Sequence, residues 1–297
     1  MLRTSRAESV ILVTLLLAWL AGSGLVIVRL AEINSQYPGC LSLQAVNPDC
    51  TGYVTTGGVW DKLAGLLQWA GVAFLAVAGI VLGAPLVSRE IETGAALISW
   101  ALASSRSRWL RSSATPLLLV FLALVVPVAL TSELLASARV GFEDPGFFEL
   151  GIRGLVLGAR GILAIGIGSL AGALLGRVLP AILLAFLLIG MANIAVMVSI
   201  DQLQVSSASV VRAEELVSNP ALLNGRSLGQ VAVLPDGSVT RERNVDALPA
   251  GTDFDWFMIV PSTLVSTWAA VESSLLLATA AASAFGTLAV VRRRKPY

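Results

Sequence analysis

The feature that most constrains this chain is the alternation of long apolar runs with short segments that hold most of its arginines. Each apolar run is about as long as a helix that crosses a bilayer, which needs about 20 residues. The six runs cover approximately residues 10–30, 63–87, 114–135, 151–176, 181–200 and 262–291. Hydrophobic residues make up 56% of the chain and charged residues 13%, whereas about a quarter of a soluble domain is charged. The sequence therefore predicts an all-α polytopic membrane protein, in which residues 1–297 form a single transmembrane domain with six transmembrane helices.

The distribution of arginine predicts which side of the membrane each connecting segment faces. Arginines precede the first run, cluster between the second and third runs at 88–111, and follow the last run at 292–294. Cytoplasmic segments carry such an excess of Lys and Arg, so we predict that both termini and segment 88–111 are cytoplasmic. Segment 201–261 is then a small extracytoplasmic subdomain between helices 5 and 6. Within it, a Leu-Pro-Asp-Gly-Ser turn at 234–238 separates two strand-like runs and predicts a β-hairpin.

The two cysteines of the chain, Cys40 and Cys50, lie between the first and second apolar runs. That segment is predicted to be extracytoplasmic, where oxidising conditions let neighbouring thiols persist as a disulfide. We favour a disulfide between Cys40 and Cys50 on this basis. Two unpaired thiols remain the alternative, because the spacing of cysteines does not determine their connectivity.

Segment 88–111 holds the densest group of charges between two apolar runs. Its charged residues are Arg89, Glu90, Glu92, Arg106, Arg108 and Arg111. Such a segment cannot lie in lipid, and the apolar side of residues 95–102 predicts a short helix at the membrane surface. We interpret the segment as the place where an intracellular partner holds the protein. The alternative is that its arginines only anchor a loop at anionic lipid headgroups.

Arg160 and Glu272 lie inside the fourth and sixth apolar runs. Each follows the extracytoplasmic start of its run by a similar number of residues, so at 1.5 Å per residue both lie about 14 Å deep. An isolated charge at such a depth costs roughly 2.5 to 3.5 kcal/mol. We therefore hypothesise that the two residues form an ion pair inside the bundle. The alternative is that each faces a water-filled cavity or a partner chain separately.

Three stretches of the chain, taken in order, resemble type-2 ABC transporter permeases. They are the RExExG stretch from Arg89 to Gly94 with the arginines of 104–111, the stretch 170–181 around the turn with Arg177 and Pro180, and the C-terminal part with Pro261, Ser262, Trp268 and Glu272 before the arginine run. The last of these is similar to the final helix of bacterial members. The resemblance covers nearly the whole chain, in order.

The resemblance implies a permease subunit of an ABC exporter in a bacterial plasma membrane. Members of this family pair as two six-helix halves and bind separate cytoplasmic ATPase subunits, which hold the ATP and Mg²⁺. The resemblance also implies that 88–111 is a coupling loop, whose coupling residues would be Arg89, Glu90, Glu92, Gly94, Arg106 and Arg108. The chain has no GxxxxGK[ST] phosphate loop, which an ATPase of this kind needs to hold phosphates. We therefore expect no cofactor and no catalytic residue in this chain, and a homodimeric or related permease half beside it.

Two other functional classes are the alternatives, an ion-gradient-driven secondary transporter and a membrane-embedded enzyme. Secondary transporters often contain internal repeats, and helices one to three show no repeat in helices four to six. The chain contains no histidine, which excludes His-based triads and HExxH zinc sites, so we expect no metal site. The net charge of +1 does not indicate a nucleic-acid partner, and membrane lipid is the expected surrounding.

Overall fold

The computed structural model of the protein describes residues 6–37, 56–102, 105–139, 150–223, 225–240 and 248–294. Cys40 and Cys50 lie outside these ranges, so their predicted disulfide stays a prediction. Within the described ranges, six helices are long and apolar enough to cross a membrane. The predicted fold class is confirmed as mostly helical, and a small four-stranded sheet lies between the fifth and sixth of these helices.

The described residues form ten α-helices, two short 3₁₀ helices (Leu150–Ile152 and Ser262–Leu264) and four strands. The helices are α1 (Arg6–Gln36), α2 (Gly58–Gly83), α3 (Pro85–Glu92), α4 (Ala95–Leu102), α5 (Arg106–Ala138), α6 (Gly154–Leu175), α7 (Val178–Ser207), α8 (Ala213–Ser218), α9 (Pro220–Leu223) and α10 (Val265–Arg293). The strands are β1 (Ser209–Arg212), β2 (Arg226–Val233), β3 (Val239–Thr240) and β4 (Asp253–Val260). The spans, numbered 1 to 6, are α1, α2 with α3, α5, α6, α7 and α10.

The two ends of the bundle differ in composition. One end gathers α4, the starts of α5 and α7, and the final residues of α3, α6 and α10, with the arginines that adjoin them. We call it the basic end. The other end carries the β-strands and is called the sheet end. This arrangement follows from the alternation of the spans in direction, since each short connection returns the chain into the bundle.

Several helices extend beyond the apolar runs that predicted them. α5 begins at Arg106, ahead of the predicted start at residue 114, because Ser105 caps it and accepts the Arg108 N–H through its hydroxyl at 3.2 Å. α7 continues to Ser207, so the first residues of segment 201–261 are helical. Hydropathy marks the membrane-crossing part of a helix, whereas caps and local propensity determine where the helix ends.

Span 2 is interrupted at Pro85, which begins α3 directly after α2. Proline has no N–H, so the α-helical hydrogen bond that this position would make is missing. The backbone on either side remains helical: Ala84 has φ −60° and donates its N–H to the Ile80 carbonyl at 2.8 Å. Ser88 donates its hydroxyl to the Ala84 carbonyl at 2.8 Å and so satisfies an acceptor next to the interruption.

Helix α6 is the most enclosed span, with 61% of its apolar window buried, compared with 17% for both α1 and α7. Its small residues let it approach α2 closely, as the glycine content of residues 151–176 predicts. A Cβ added to Gly79 would lie 2.8 Å from the Ala164 Cβ, and one added to Gly172 would lie 2.1 Å from the Ala84 carbonyl oxygen. The two backbones are therefore in direct contact along this crossing.

The sheet has the strand order β1-β4-β2-β3, and all its pairings are antiparallel. The predicted hairpin corresponds to β2 and β3, in which Val233 faces Val239 across the turn. Strand β4 inserts between β1 and β2, which are separated along the chain by α8 and α9. Arg226 of β2 forms an ion pair with Asp201 of α7 at 2.8 Å. It also donates to the side-chain amide oxygen of Gln204. The sheet is thus attached directly to the end of span 5.

Candidate functional site

Segment 88–111 is largely helical. Its first residues complete α3, residues 95–102 form α4 as predicted, and Arg106 and Arg108 lie in the first turn of α5. Arg89, Glu90 and Glu92 occupy the last turns of α3. The predicted coupling residues therefore surround α4 at the basic end.

Gly94 forms the turn between α3 and α4. Its φ is +72°, a conformation that glycine adopts without the steric cost of a Cβ. Its N–H donates to the Ile91 carbonyl at 3.1 Å, and the Thr93 N–H donates to the Arg89 carbonyl at 3.0 Å. These bonds satisfy carbonyls at the end of α3 in the manner of a glycine C-cap. The glycine of the RExExG stretch thus has a local structural reason.

Helix α4 has one side packed on the bundle and one side exposed. Ala96 and Trp100 are buried in a cluster with residues of α3, α5, α6 and α10, and Trp100 meets Trp109 edge to face with ring centroids 5.9 Å apart. Ile98 is 66% exposed. Because Ile98 lies two residues from both buried side chains, the helix presents an apolar side chain away from the bundle.

Arg106 makes contacts with two helices besides its own. Its guanidinium lies 5.1 Å from the centroid of the Trp100 ring of α4, within the range of a cation–π interaction. The same group donates to the carbonyls of Val291, at 3.5 Å, of Arg292, at 3.3 Å, and of Arg294. Arg106 therefore joins α4 to the C-terminal end of α10.

Glu92 and the turn with Arg177 and Pro180 also come together. The Val178 N–H, at the start of α7, donates to the Glu92 carboxylate at 3.1 Å. Arg177 precedes the helix in extended backbone conformation and provides no side-chain cap of its own. Pro180 lies in the first turn of α7, where a missing N–H leaves no intrahelical bond unmade. The predicted coupling segment is thereby bonded to the turn between spans 4 and 5.

The structure places Arg160 and Glu272 in contact. The Arg160 Nη2 and the Glu272 Oε1 lie 2.7 Å apart, between α6 and α10. The Arg160 side chain is 20% exposed and the Glu272 side chain 7%. The Arg160 Nε is buried and makes no hydrogen bond in the structure, so the pair leaves one donor unsatisfied.

A second buried ion pair was not predicted from the sequence. At the sheet end, Arg139 donates from Nε to Asp61 Oδ1 at 2.6 Å, from Nη2 to Asp61 Oδ2 at 3.2 Å, and from Nη1 to the Gln68 side-chain oxygen at 2.9 Å. Sequence reasoning assigned both charged residues to connecting segments. The separation of Asp61 from Gln68 by two helical turns was a usable signal, because it puts both on one face of α2.

The sheet end also holds two aspartates, the exposed Asp236 and the half-exposed Asp253, whose pKa values are below the ordinary one. The backbone N–H of Asp255 and the indole N–H of Trp256 hold the pKa of Asp253 below its usual range, with a smaller contribution from Arg212. The Ser238 hydroxyl and backbone N–H lower the pKa of Asp236 in the hairpin turn. Hydrogen bonds to the charged form cause both shifts.

Taken together, these features define a multi-pass helical membrane protein with a charged helical segment at one end and ion pairs between its spans. The family model described as ABC-2 membrane transporter related matches residues 10–200, which include segment 88–111, spans 2 to 4 and most of spans 1 and 5. The chain belongs to this family. The resemblance to ABC-2 permeases is confirmed at this level, and such chains are typically non-catalytic transmembrane subunits. No curated protein and no solved structure matches the chain.

Proposed function

We propose that this chain is the permease subunit of an ATP-driven exporter in a bacterial plasma membrane. In this proposal the basic end faces the cytoplasm, and both termini lie on that side. Separate ATPase subunits bind ATP and Mg²⁺ and engage α4. The arginine distribution supports this orientation, and membership of the ABC-2-related family supports the partner class.

The observation that carries the proposal is the exposed side of α4. Ile98 is 66% exposed, whereas Ala96 and Trp100 on either side of it are 5% and 7% exposed. A helix that presents an apolar side chain to a groove is a common means of protein recognition. The position of α4 beyond the ends of spans 2 and 3 suits a site to which a cytoplasmic subunit delivers force.

A second permease half is part of the proposal. Spans 1 and 5 are the least enclosed, with 17% of each apolar window buried. Large apolar side chains, including Leu183, Leu187 and Ile194, are more than half exposed along α7. Lipid or a second six-helix half covers such a surface, and the exporter architecture requires the second half somewhere on the bundle.

The proposal is tested by purifying the full chain with a C-terminal tag from its own cells in mild detergent. We expect a subunit with a phosphate loop to co-purify, with vanadate-sensitive ATPase activity and a particle mass that corresponds to two permease halves and two ATPase subunits. Ile98→Asp should reduce the bound ATPase at least about tenfold, because a charge replaces the apolar contact.

Val239→Asp is the matched control, since Val239 is 44% exposed at the sheet end. This variant should leave the ATPase bound. A fluorescent protein fused after residue 297 should fold and fluoresce on the cytoplasmic side. Undiminished ATPase binding by Ile98→Asp would contradict the role of α4. Transport by the isolated chain in proteoliposomes without any ATPase would contradict the function itself.

A further inference from the structure

Helix α4 is fastened to more of the bundle than the two spans that it connects in sequence. It joins α3 to α5, yet the buried cluster beneath it also contains Ala173 of α6 and Val291 of α10. We propose that Arg106, Arg294 and Glu92 are positioning residues that transmit a displacement of α4 to the ends of spans 4, 5 and 6. This inference rests on the proposed function, in which α4 receives the ATPase.

Arg106 supplies the contact to span 6. The last carbonyls of a helix have no intrahelical partner and carry a partial negative charge. The Arg106 Nη1 donates to the carbonyls of Val291 and Arg292 in α10 and of Arg294 directly after it, and the guanidinium carbon lies over the Trp100 ring of α4. The planar guanidinium can stack on an aromatic ring while its N–H groups donate in its own plane, and a lysine ammonium keeps the charge but lacks this planar fork. A displacement of Trp100 would therefore displace Arg106 and, through it, the end of α10.

Arg294 continues the connection from span 6 to span 4. It follows α10 directly, and its guanidinium donates to the carbonyls of Ala173 and Leu174 at the end of α6. Gly176, with φ +66°, leaves room for it: a Cβ there would meet the Arg294 guanidinium and the Ile91 side chain of α3. Arg106 thus caps the C-terminal end of α10, and Arg294 caps the C-terminal end of α6.

Glu92 supplies the contact to span 5. Its carboxylate accepts the N–H of Val178 at the start of α7, where a helix favours negative charge. The three contacts therefore match sign at every helix end: cations at the ends of α6 and α10, and an anion at the start of α7. Arg106 contacts α4 through Trp100, and Glu92 is itself part of α3. Arg294 is linked to α4 through Arg106, which donates to its carbonyl.

The test uses the full chain in complex with its ATPase, reconstituted in lipid nanodiscs and followed by hydrogen exchange with and without ATP plus vanadate. In the unaltered complex, nucleotide trapping should change exchange in α4, in the last turn of α10 and at residues 173–180. In Arg106→Gln the change in α4 should persist. The change in the last turn of α10 should fall by at least about half, and basal exchange there should rise about tenfold because its cap is lost.

Arg111→Gln is the matched control, since it removes the same charge from an exposed position of the same helix and should keep the response of α10. Arg106→Lys keeps the charge and serves if Arg106→Gln does not assemble; it should give a reduced response. A response of α10 that is unchanged in both Arg106 variants overturns this inference and leaves the proposed function standing. Absence of any nucleotide response in α4 of the unaltered complex overturns the proposed function, and this inference with it.

Discussion

At the scale of single residues, the two buried ion pairs show what helical arithmetic can and cannot find. Counting residues inward from one face put Arg160 and Glu272 at the same depth, and the structure has them in contact at 2.7 Å. Asp61 and Arg139 lie at helix ends, where the hydropathy of the sequence indicates only a change from apolar to polar residues. Their pairing depends on how α2 and α5 are placed side by side, which no local pattern contains.

The Arg160–Glu272 pair predicts a specific pattern of stability. Glu272→Gln and Arg160→Gln should each destabilise the protein by about 3 kcal/mol, because removal of one partner leaves a buried charge uncompensated. The partial exposure of Arg160 puts this figure at the low end of the known range. The exchange of the two residues, Arg160→Glu with Glu272→Arg, should recover part of the loss.

Thermal unfolding in detergent and the yield of folded protein measure these effects. The change Leu119→Ala provides a control at a 62% exposed position of α5. If the exchanged protein unfolds as readily as the worse single variant, the two charges act separately and the pair contributes no mutual stabilisation.

At the scale of elements, hydropathy located all six spans but not their ends or the sheet. Length and apolar content are local properties, so each span could be recognised alone. Strand β4 pairs with β1 across the intervening α8, α9, β2 and β3, and such long-range pairing has no signature in a short window. Only the hairpin of β2 and β3, whose turn chemistry is local, was predicted.

The crossing of α2 and α6 gives a prediction at this scale. Gly172→Ala should destabilise the bundle by about 1 to 3 kcal/mol, because the added methyl group would overlap the Ala84 carbonyl at 2.1 Å and the helices must separate. Gly190→Ala in α7 is the control, since a Cβ there meets nothing within 4 Å and alanine favours the helix.

The apparent melting temperature of each purified variant in the same detergent measures the difference. Gly190→Ala should melt at or above the temperature of the unaltered protein. An equal melting temperature for Gly172→Ala would mean that α2 and α6 do not touch at this point.

At the scale of the whole molecule, the sheet and the bundle should respond differently to acid. The pKa of Asp253 is lowered from an ordinary value of 3.8 by hydrogen bonds to its charged form. A lowered folded-state pKa contributes stability that is present above the unfolded pKa and is lost as the pH falls through the folded value. The sheet should therefore weaken only below about pH 4. The bonds of Asp253 are all to residues of the sheet, so the bundle should keep its protection at that pH.

Hydrogen exchange of residues 253–260 and of α6, compared from pH 7 to pH 3 after correction for the intrinsic pH dependence of exchange, tests this. Asp253→Asn should remove most of the pH dependence in the strand, and Asp255→Asn, an exposed neighbour, should keep it. Loss of protection in both regions at the same pH would show that the sheet and the bundle unfold as one unit.

The interruption of span 2 has a mechanical consequence. Ala84, immediately before it, packs against α6, where Gly172 leaves no space for a methyl group and Gly168 leaves little. If a partner displaces α4, α3 would therefore rotate about the point where Ala84 contacts α6. Helix α2, which is the longer part of span 2 and is packed among its neighbours, need not move when α3 rotates.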